Sequence, residues 1–331
     1  MTPDSFDELL SLVGPHLLRV DYSREPISPI IRLGITLRFL AAGDSMTSLS
    51  YAFRVGLSTV SECIAETTKV IWTVLRQKVL PVPNQEMWRN IATHFEDRWQ
   101  FHNCTGAIDG KHIQIQAPPN SGSEFYNYKG HHSIVLLAVA DSQYVFTLVD
   151  VGASGRQSDG GIFSKSQIGQ KLKENLLNLP PPRRISSERP ELPYVFVGDE
   201  AFPLLTNLLR PFPGKTLDIE KRVYNYRLSR ARLVIENTFG ILSSRWRVLR
   251  KPIIAKLENV DNIVKASVSL HNYLMLQKNN RFYFTPDLVD RALPDNTILP
   301  GAWRQEGSIF QSLGRCGSNN HGTQATYTGC S

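Results

Sequence analysis

"HNCTGAIDGKHIQIQAPP" (residues 102–119) is where the chain changes its period. Upstream, apolar residues recur every three to four positions, as in amphipathic helices. From residue 101 they fall into short β-branched runs bounded by Gly, Asp or Pro, which read as strands. This first strand carries a lone carboxylate, Asp109, between an apolar step and a glycine. A buried charge is costly unless it is paired or holds a cation, so the stretch asks which other acids converge on Asp109.

Three more runs downstream read as strands: "SIVLLAVADS" (133–142), "YVFTLVDVGA" (144–153) and "PYVFVGDEA" (193–201). The first two of these are separated by a tight "DSQ" turn, which predicts a hairpin. Helical patterns follow in "GGIFSKSQIGQKLKEN" (160–175), "PLLTNLLRPF" (203–212), "YNYRLSRARLVIENTFGILSSRW" (224–246) and "LENVDNIVKASVSLHNYLMLQK" (257–278). Strands first, then strands alternating with helices, predict a mixed α/β sheet covered by helices. "LPPPRRISSERPELP" (179–193) reads as an exposed Pro-rich insertion, and residues 305–331, rich in Gly, Ser, Asn and Thr, as a flexible tail.

Residues 1–100 read as helical. "IIRLGITLRFLAAG" ends on Gly43, a C-cap residue. Ser45 or Thr47 can cap a short helix through Phe53, "RVG" turns, and Ser58 can cap a longer helix. Short helix, glycine turn and longer helix is the helix-turn-helix pattern, and Ser58, Thr59 and Ser61 stand where recognition helices meet bases. A plain helical bundle fits the same pattern, and the segment is poor in Arg and Lys, with Arg54 before the second helix and Lys69 well inside it. "VLPVPNQEMW" marks a boundary near residues 79–86. The organisation expected is a helix-turn-helix-like region over 1–80, a connecting helix over 81–100, the α/β domain over 101–280 and a C-terminal extension over 281–331.

A chain of 331 residues has room for about two domains. Its 41% apolar content and mean hydropathy of −0.21 are those of a globular protein. No stretch approaches ~18 consecutive apolar residues, so no membrane span is expected, and the acidic start "MTPDSFDELLSLVG" is not a signal peptide. Cys63, Cys104, Cys316 and Cys330 show no CxxC spacing; they suit a reducing compartment, cytosol or nucleus. A net charge of +7 is compatible with nucleic acid without requiring it.

Three carboxylates stand at informative places: Asp109 within the first strand, Asp199 at the end of "YVFVGD", and Glu236 on the helix "RARLVIENTFGIL". Strand ends are where open α/β sheets gather ligands, and acids that converge need cations between them. Oxygen-only ligands select a hard ion, Mg²⁺ or Mn²⁺. Two such ions can activate a water or a 3′-hydroxyl and stabilise the leaving oxygen of a phosphodiester. The structural alternatives are a turn role for Asp109 and an ion pair between Glu236 and Arg232, one turn earlier. Asp159, in "GRQSDGGIF", reads as a helix cap or a metal ligand. Asp141 and Asp150 read as turn or solvent acids. His112 falls on the face opposite Asp109, and His131, His132 and His271 lack paired ligand spacing.

"KRVYNYRLSRARLVIENTFGILSSRWRVLRKPI" (221–253) is dense in Arg and Lys, sparse in acids and interleaved with Tyr and Trp. Such charge tracks a nucleic-acid backbone; a solvated helix face is the plain alternative. The candidate DNA contacts are Lys111, Lys129, Arg227, Arg230, Arg232, Arg245 and Arg247. "EFYNYKGHHS" (124–133) adds aromatics beside Lys129 and His131.

Taken as an ordered set, "GAIDGKHIQI", "FYNYKGHHSIVLLAVAD", "DVGASGRQSDGGIFSKS", "YVFVGDEAFPL" and "YNYRLSRARLVIENTFGILSSRWRVL" resemble the DDE endonucleases of PIF/Harbinger transposons and the harbinger transposase-derived nucleases of animals. The resemblance spans about residues 30–275, including the helix-turn-helix region. It implies an RNase H-like fold and Asp109, Asp199 and Glu236 as the catalytic, metal-holding acids, with Asp159 at a further acidic metal position. It also implies Mg²⁺ or Mn²⁺, DNA as substrate, a Myb-like DNA-binding partner protein, and residence in the nucleus with the cytoplasm as second compartment. This sequence departs from the family pattern in "EAFP" after Asp199, where Gly-Tyr-Pro is common, in His102, where proline is usual, and in the longer insertion before Asp199.

The leading expectation is a metal-dependent endonuclease with strand transfer as a further activity. The alternative is a domesticated, catalytically silent DNA- or partner-binding protein. A helical adaptor on an inert α/β domain is the third.

Overall fold

A computed structural model describes residues 1–19, 26–188, 190–214, 216–292 and 297–304, with only the backbone of Asp159 and Ala292. The tail expected from about residue 305, with Cys316 and Cys330, lies outside the described residues, while Cys63 and Cys104 are buried free thiols.

Among the described residues five α-helices come first: α1 (Pro3–Val13), α2 (Pro29–Ala42), α3 (Met46–Phe53), α4 (Leu57–Val79) and α5 (Gln85–Trp99). The α2 helix stops because Gly43 takes a left-handed conformation, φ 66°. Ser45 caps α3 by accepting from the Ser48 N–H. The α3–turn–α4 shape is present, but Ser58 does not cap α4; Gly56 holds that position without a side-chain bond. Val60, Cys63, Ile64, Thr67, Ile71 and Leu75 bury one stripe of α4, packed on α2 and on a late helix described below. The opposite side of α4 is exposed at Leu57, Ser58, Glu62, Lys69, Thr73, Arg76, Gln77 and Lys78.

The sheet contains β1 (Cys104–Gln114), β2 (Ser133–Ala140) and β3 (Phe146–Ser154), joined antiparallel. After α6 (Asp159–Lys165) and α7 (Gln167–Lys173), the insertion folds its own small hairpin of β4 (Arg183–Arg184) and β5 (Glu191–Leu192). The chain then returns as β6 (Val195–Val197), parallel to β1, and β7 (Leu208–Leu209), parallel to β6. The order is β3-β2-β1-β6-β7, a mixed RNase H-like sheet preceded by a helical region, as expected. β2 is buried along its whole length, which is why "SIVLLAVA" carries no charge.

"PLLTNLLRPF" is not helical. Prolines at both ends shorten it, and its backbone is taken by the sheet, with Phe196 N–H donating to Asn207 C=O at 2.9 Å. Likewise "GGIFSKSQIGQKLKEN" is two helices rather than one: Ser166 ends α6 and caps α7 by accepting from Gly169 N–H.

α8 (Ile219–Arg245) and α9 (Leu257–Met275) complete the core. α5 covers one sheet face, where Trp88 meets Phe196 edge-on at 5.5 Å. α8 covers the other, where Phe239 lies 5.9 Å from Phe146. α9 packs on α4 and β3. Its buried Asn272 accepts from Phe146 N–H and donates to the carbonyls of Phe146 and Val79, at 2.8–2.9 Å, so one amide ties α9, β3 and α4. The segment after α9 adds a two-stranded piece, β8 (Arg291–Ala292) and β9 (Ile298–Leu299). Among the described residues no helix is long and apolar enough to cross a membrane.

Candidate active site

The β1–β6 register pairs Ala107 with Val197. Asp109 and Asp199 each lie two residues further on, and Gly198 N–H still donates to Leu209 C=O at 2.9 Å, continuing the strand geometry. Side chains two apart on a strand share a face, so the β1–β6 register, carried on past its last pair, directs both aspartates to one face of the sheet at its rim. Asp109 Oδ1 accepts from Gly110 N–H at 2.8 Å, and Asp199 Oδ1 from Ala201 N–H at 2.9 Å. These bonds fix the two carboxylates at the rim.

The start of α6 docks against the turn that follows Asp199. A Cβ at Gly160 would stand 2.5 Å from the Ala201 carbonyl oxygen, so only glycine permits this approach. Phe163 meets Phe202 edge-on at 5.7 Å behind it. The backbone of Asp159 is therefore brought beside Asp199; its side chain lies outside the described residues. The capping role expected for Asp159 belongs to Ser158, which accepts from Gly161 N–H.

Glu236 sits on α8, the helix over the same sheet face, and is about one-third exposed (33%). Its Oε1 lies 3.6 Å from Arg232 and its Oε2 accepts from Arg304 at 3.2 Å. Among the described residues no three acids, histidines or cysteines gather into a metal-holding group. The register thus directs Asp109 and Asp199 to the same rim, and Glu236 is engaged by two guanidiniums. The two aspartates, hard oxygen donors each accepting a backbone N–H, fit Mg²⁺ or Mn²⁺, while the Glu236 carboxylate faces Arg232 and Arg304.

Cations surround the pair. Lys111, two residues beyond Asp109, packs its Nζ over the Phe239 ring at 5.9 Å. Burial lowers its ammonium to about 8, assisted by Lys129 and Arg250 and opposed by Asp109. Lys129 lies over the Tyr128 ring, which is 83% exposed. The loop carrying both is built by buried Asn127, whose Oδ1 accepts from the N–H groups of Lys129 and His131 and whose Nδ2 donates to Ser133 Oγ at 2.8 Å. Ser133 Oγ also meets His112 Nδ1 at 2.9 Å, on the opposite face from Asp109. Burial and the same lysines lower the His112 pKa.

Along α8 the arginines diverge. Arg227 is exposed beside an apolar hollow lined by Phe101, Leu192 and Tyr224. Arg230 lies over Tyr226 at 5.7 Å. Arg245 donates to the Tyr283 carbonyl at 2.6 Å, a packing role, and Arg247 is exposed beside Gly43. Asp141 closes the β2–β3 turn by accepting from Gln143 and Val145 N–H groups, and Asp150 accepts from Gln167 N–H. His271 is buried between the Tyr144 carbonyl and the Tyr283 hydroxyl.

Asn127, Arg250, Asp290 and Arg304 are site-region residues that sequence reasoning missed. Asn127 lies inside "FYNYKG" and Arg250 inside the basic stretch 221–253; Asp290 and Arg304 reach the site through tertiary contacts.

Comparison with known proteins agrees with this architecture. Residues 108–272 match the family model described as DDE superfamily endonuclease. The Arabidopsis thaliana protein ALP1-like is 27% identical over 306 residues, covering 89% of this chain and 71% of its own length. Antagonist of Like Heterochromatin Protein 1, also from Arabidopsis thaliana, is 27% identical over 278 residues (78% and 68%). Human HARBI1, named as a candidate nuclease, is 24% identical over 267 residues (80% and 72%). No solved structure matches the chain. Residues 108–272 are therefore a DDE superfamily endonuclease domain.

Proposed function

We propose that the chain is a metal-dependent DNA endonuclease whose central acids are Asp109 and Asp199. The observation that carries this is their placement two residues beyond an in-register pair on parallel β1 and β6. When bound, Mg²⁺ or Mn²⁺ supplies an activated water or 3′-hydroxyl and stabilises the leaving oxygen. The chain's own residues hold and orient. Gly110 and Ala201 N–H groups aim the carboxylates; Lys111 and Lys129 draw in the phosphate; exposed Tyr128 offers a stacking face for a base. Glu236 completes the acid set, Asp159 enters from the start of α6, and Arg227, Arg230 and Arg247 extend the cationic surface. Strand transfer would use the same groups with a 3′-hydroxyl as nucleophile.

A supercoiled plasmid tests this. Nicking should require Mg²⁺ or Mn²⁺, and Asp109→Asn and Asp199→Asn should each lower the rate about a hundred-fold or more while DNA binding persists. Nicking by Asp109→Asn at the wild-type rate would reject the proposal.

One observation favours a second reading, a silent DNA- or partner-binding protein: Glu236 is engaged by Arg232 and Arg304. That reading expects DNA binding with no metal-dependent nicking. Under either reading, a Myb-like partner that supplies sequence recognition and nuclear entry suits a chain whose α4 carries no Arg or Lys in its first turns; co-purification and localisation of the tagged chain test it.

A further inference from the structure

We infer that Arg304 is a built-in cation that parks Glu236 away from the aspartate pair, so that Glu236 must leave it before the three acids act together. This rests on the endonuclease reading.

The segment that carries Arg304 is seated firmly on α8. Trp303 covers Gly240, where a Cβ would stand 2.4 Å from the indole, and its Nε1 donates to Asn237 Oδ1 at 3.0 Å. The same Asn237 oxygen accepts from Asp290 N–H at 2.9 Å. Asp290 has a fully buried side chain. It accepts from Gly301 N–H at 2.8 Å and from both Nε and NH2 of Arg304, at 2.5–2.9 Å.

A buried carboxylate stripped of its counter-charge is strongly destabilising, so Arg304 stays with Asp290. Its remaining reach goes to Glu236 at 3.2 Å. Glu236 is the member with the fewest ties to this group: it has one hydrogen bond to Arg304, and Arg232 at 3.6 Å is its second neighbour. A guanidinium keeps its charge at any ordinary pH, so the contact yields to a competing cation and not to titration. A divalent ion beside Asp109 and Asp199 is such a competitor.

Mn²⁺ binding to the full chain, read by titration calorimetry and by the metal-induced rise in melting temperature, tests the inference without any turnover. Asp290→Asn/Arg304→Gln removes both charges together and keeps hydrogen-bonding groups, which guards against misfolding of Arg304→Gln alone. The double variant should bind Mn²⁺ about three-fold more tightly or better, and adding Glu236→Gln should remove the gain. Unchanged or weaker Mn²⁺ binding, with binding still abolished by Asp109→Asn, overturns the parking role alone. No Mn²⁺ binding by wild type and variants alike overturns both this inference and the endonuclease reading.

Discussion

Burial lowers the Lys111 ammonium to about 8 from the usual 10.5. The sign follows from linkage: the folded state holds this proton less tightly than the unfolded state. The charged form therefore costs stability at every pH below about 8, and the cost fades as pH rises from 8 to 10.5. Lys111→Met should stabilise the fold at pH 7 by about 1 kcal/mol, lose that advantage by pH 10.5, and bind DNA more weakly; urea unfolding at the two pH values and a DNA titration check it. A lysine held at such a cost beside Asp109 fits a task for its charge. At this scale the sequence was partly legible. Asp109 and Asp199 stood out because strand alternation and a strand end frame them. Glu236 stood out by position, yet its partner Arg304 lies 68 residues on and Asp290 carries no local pattern. Their meeting depends on how the C-terminal segment crosses α8, which no periodicity encodes.

Elements show the same division. Long amphipathic helices and the fully apolar β2 were readable because their patterns extend over two or more turns or a whole strand. β7 was not: a two-residue strand has no period, and "PLLTNLLRPF" mimics a helix until Phe196 claims its backbone. The α6–α7 break was hidden because Ser166 both ends one helix and caps the next. The β4–β5 hairpin inside the Pro-rich insertion, with strands of two residues each, is too short to show a strand period. The approach of α6 to the Asp199 turn gives a prediction at this scale. Gly160→Ala forces a methyl against the Ala201 carbonyl and should cost about 1–3 kcal/mol. It should also lower nicking beyond that loss, because the turn that orients Asp199 shifts. Denaturant unfolding measured beside plasmid nicking separates the two effects.

For the whole molecule, the buried His271 and the half-buried Asp141 oppose each other in acid. His271 is lowered to about 4 by burial, so stability is lost as pH falls from 6.5 toward 4. Asp141 is raised to about 6 by burial, against its two backbone hydrogen bonds, so stability is gained as pH falls from 6 toward 3.8. The windows overlap and the shifts nearly cancel. Asp141→Asn should expose the His271 slope, a loss of about 3 kcal/mol between pH 6.5 and 4, where the wild type changes little; thermal melts across that range measure it. The charge balance of the chain gave no hint of this pairing, because both groups are set by burial.

The helical region and the sheet are one body: Asn272 bonds both Val79 and Phe146, and Gly43 lies against Arg247. A duplex touched by the start of α4 and cut at the sheet rim would be measured by a rigid ruler. Five base pairs inserted between those points would turn the scissile bond to the far side of the helix, and a full turn of about ten would bring it back.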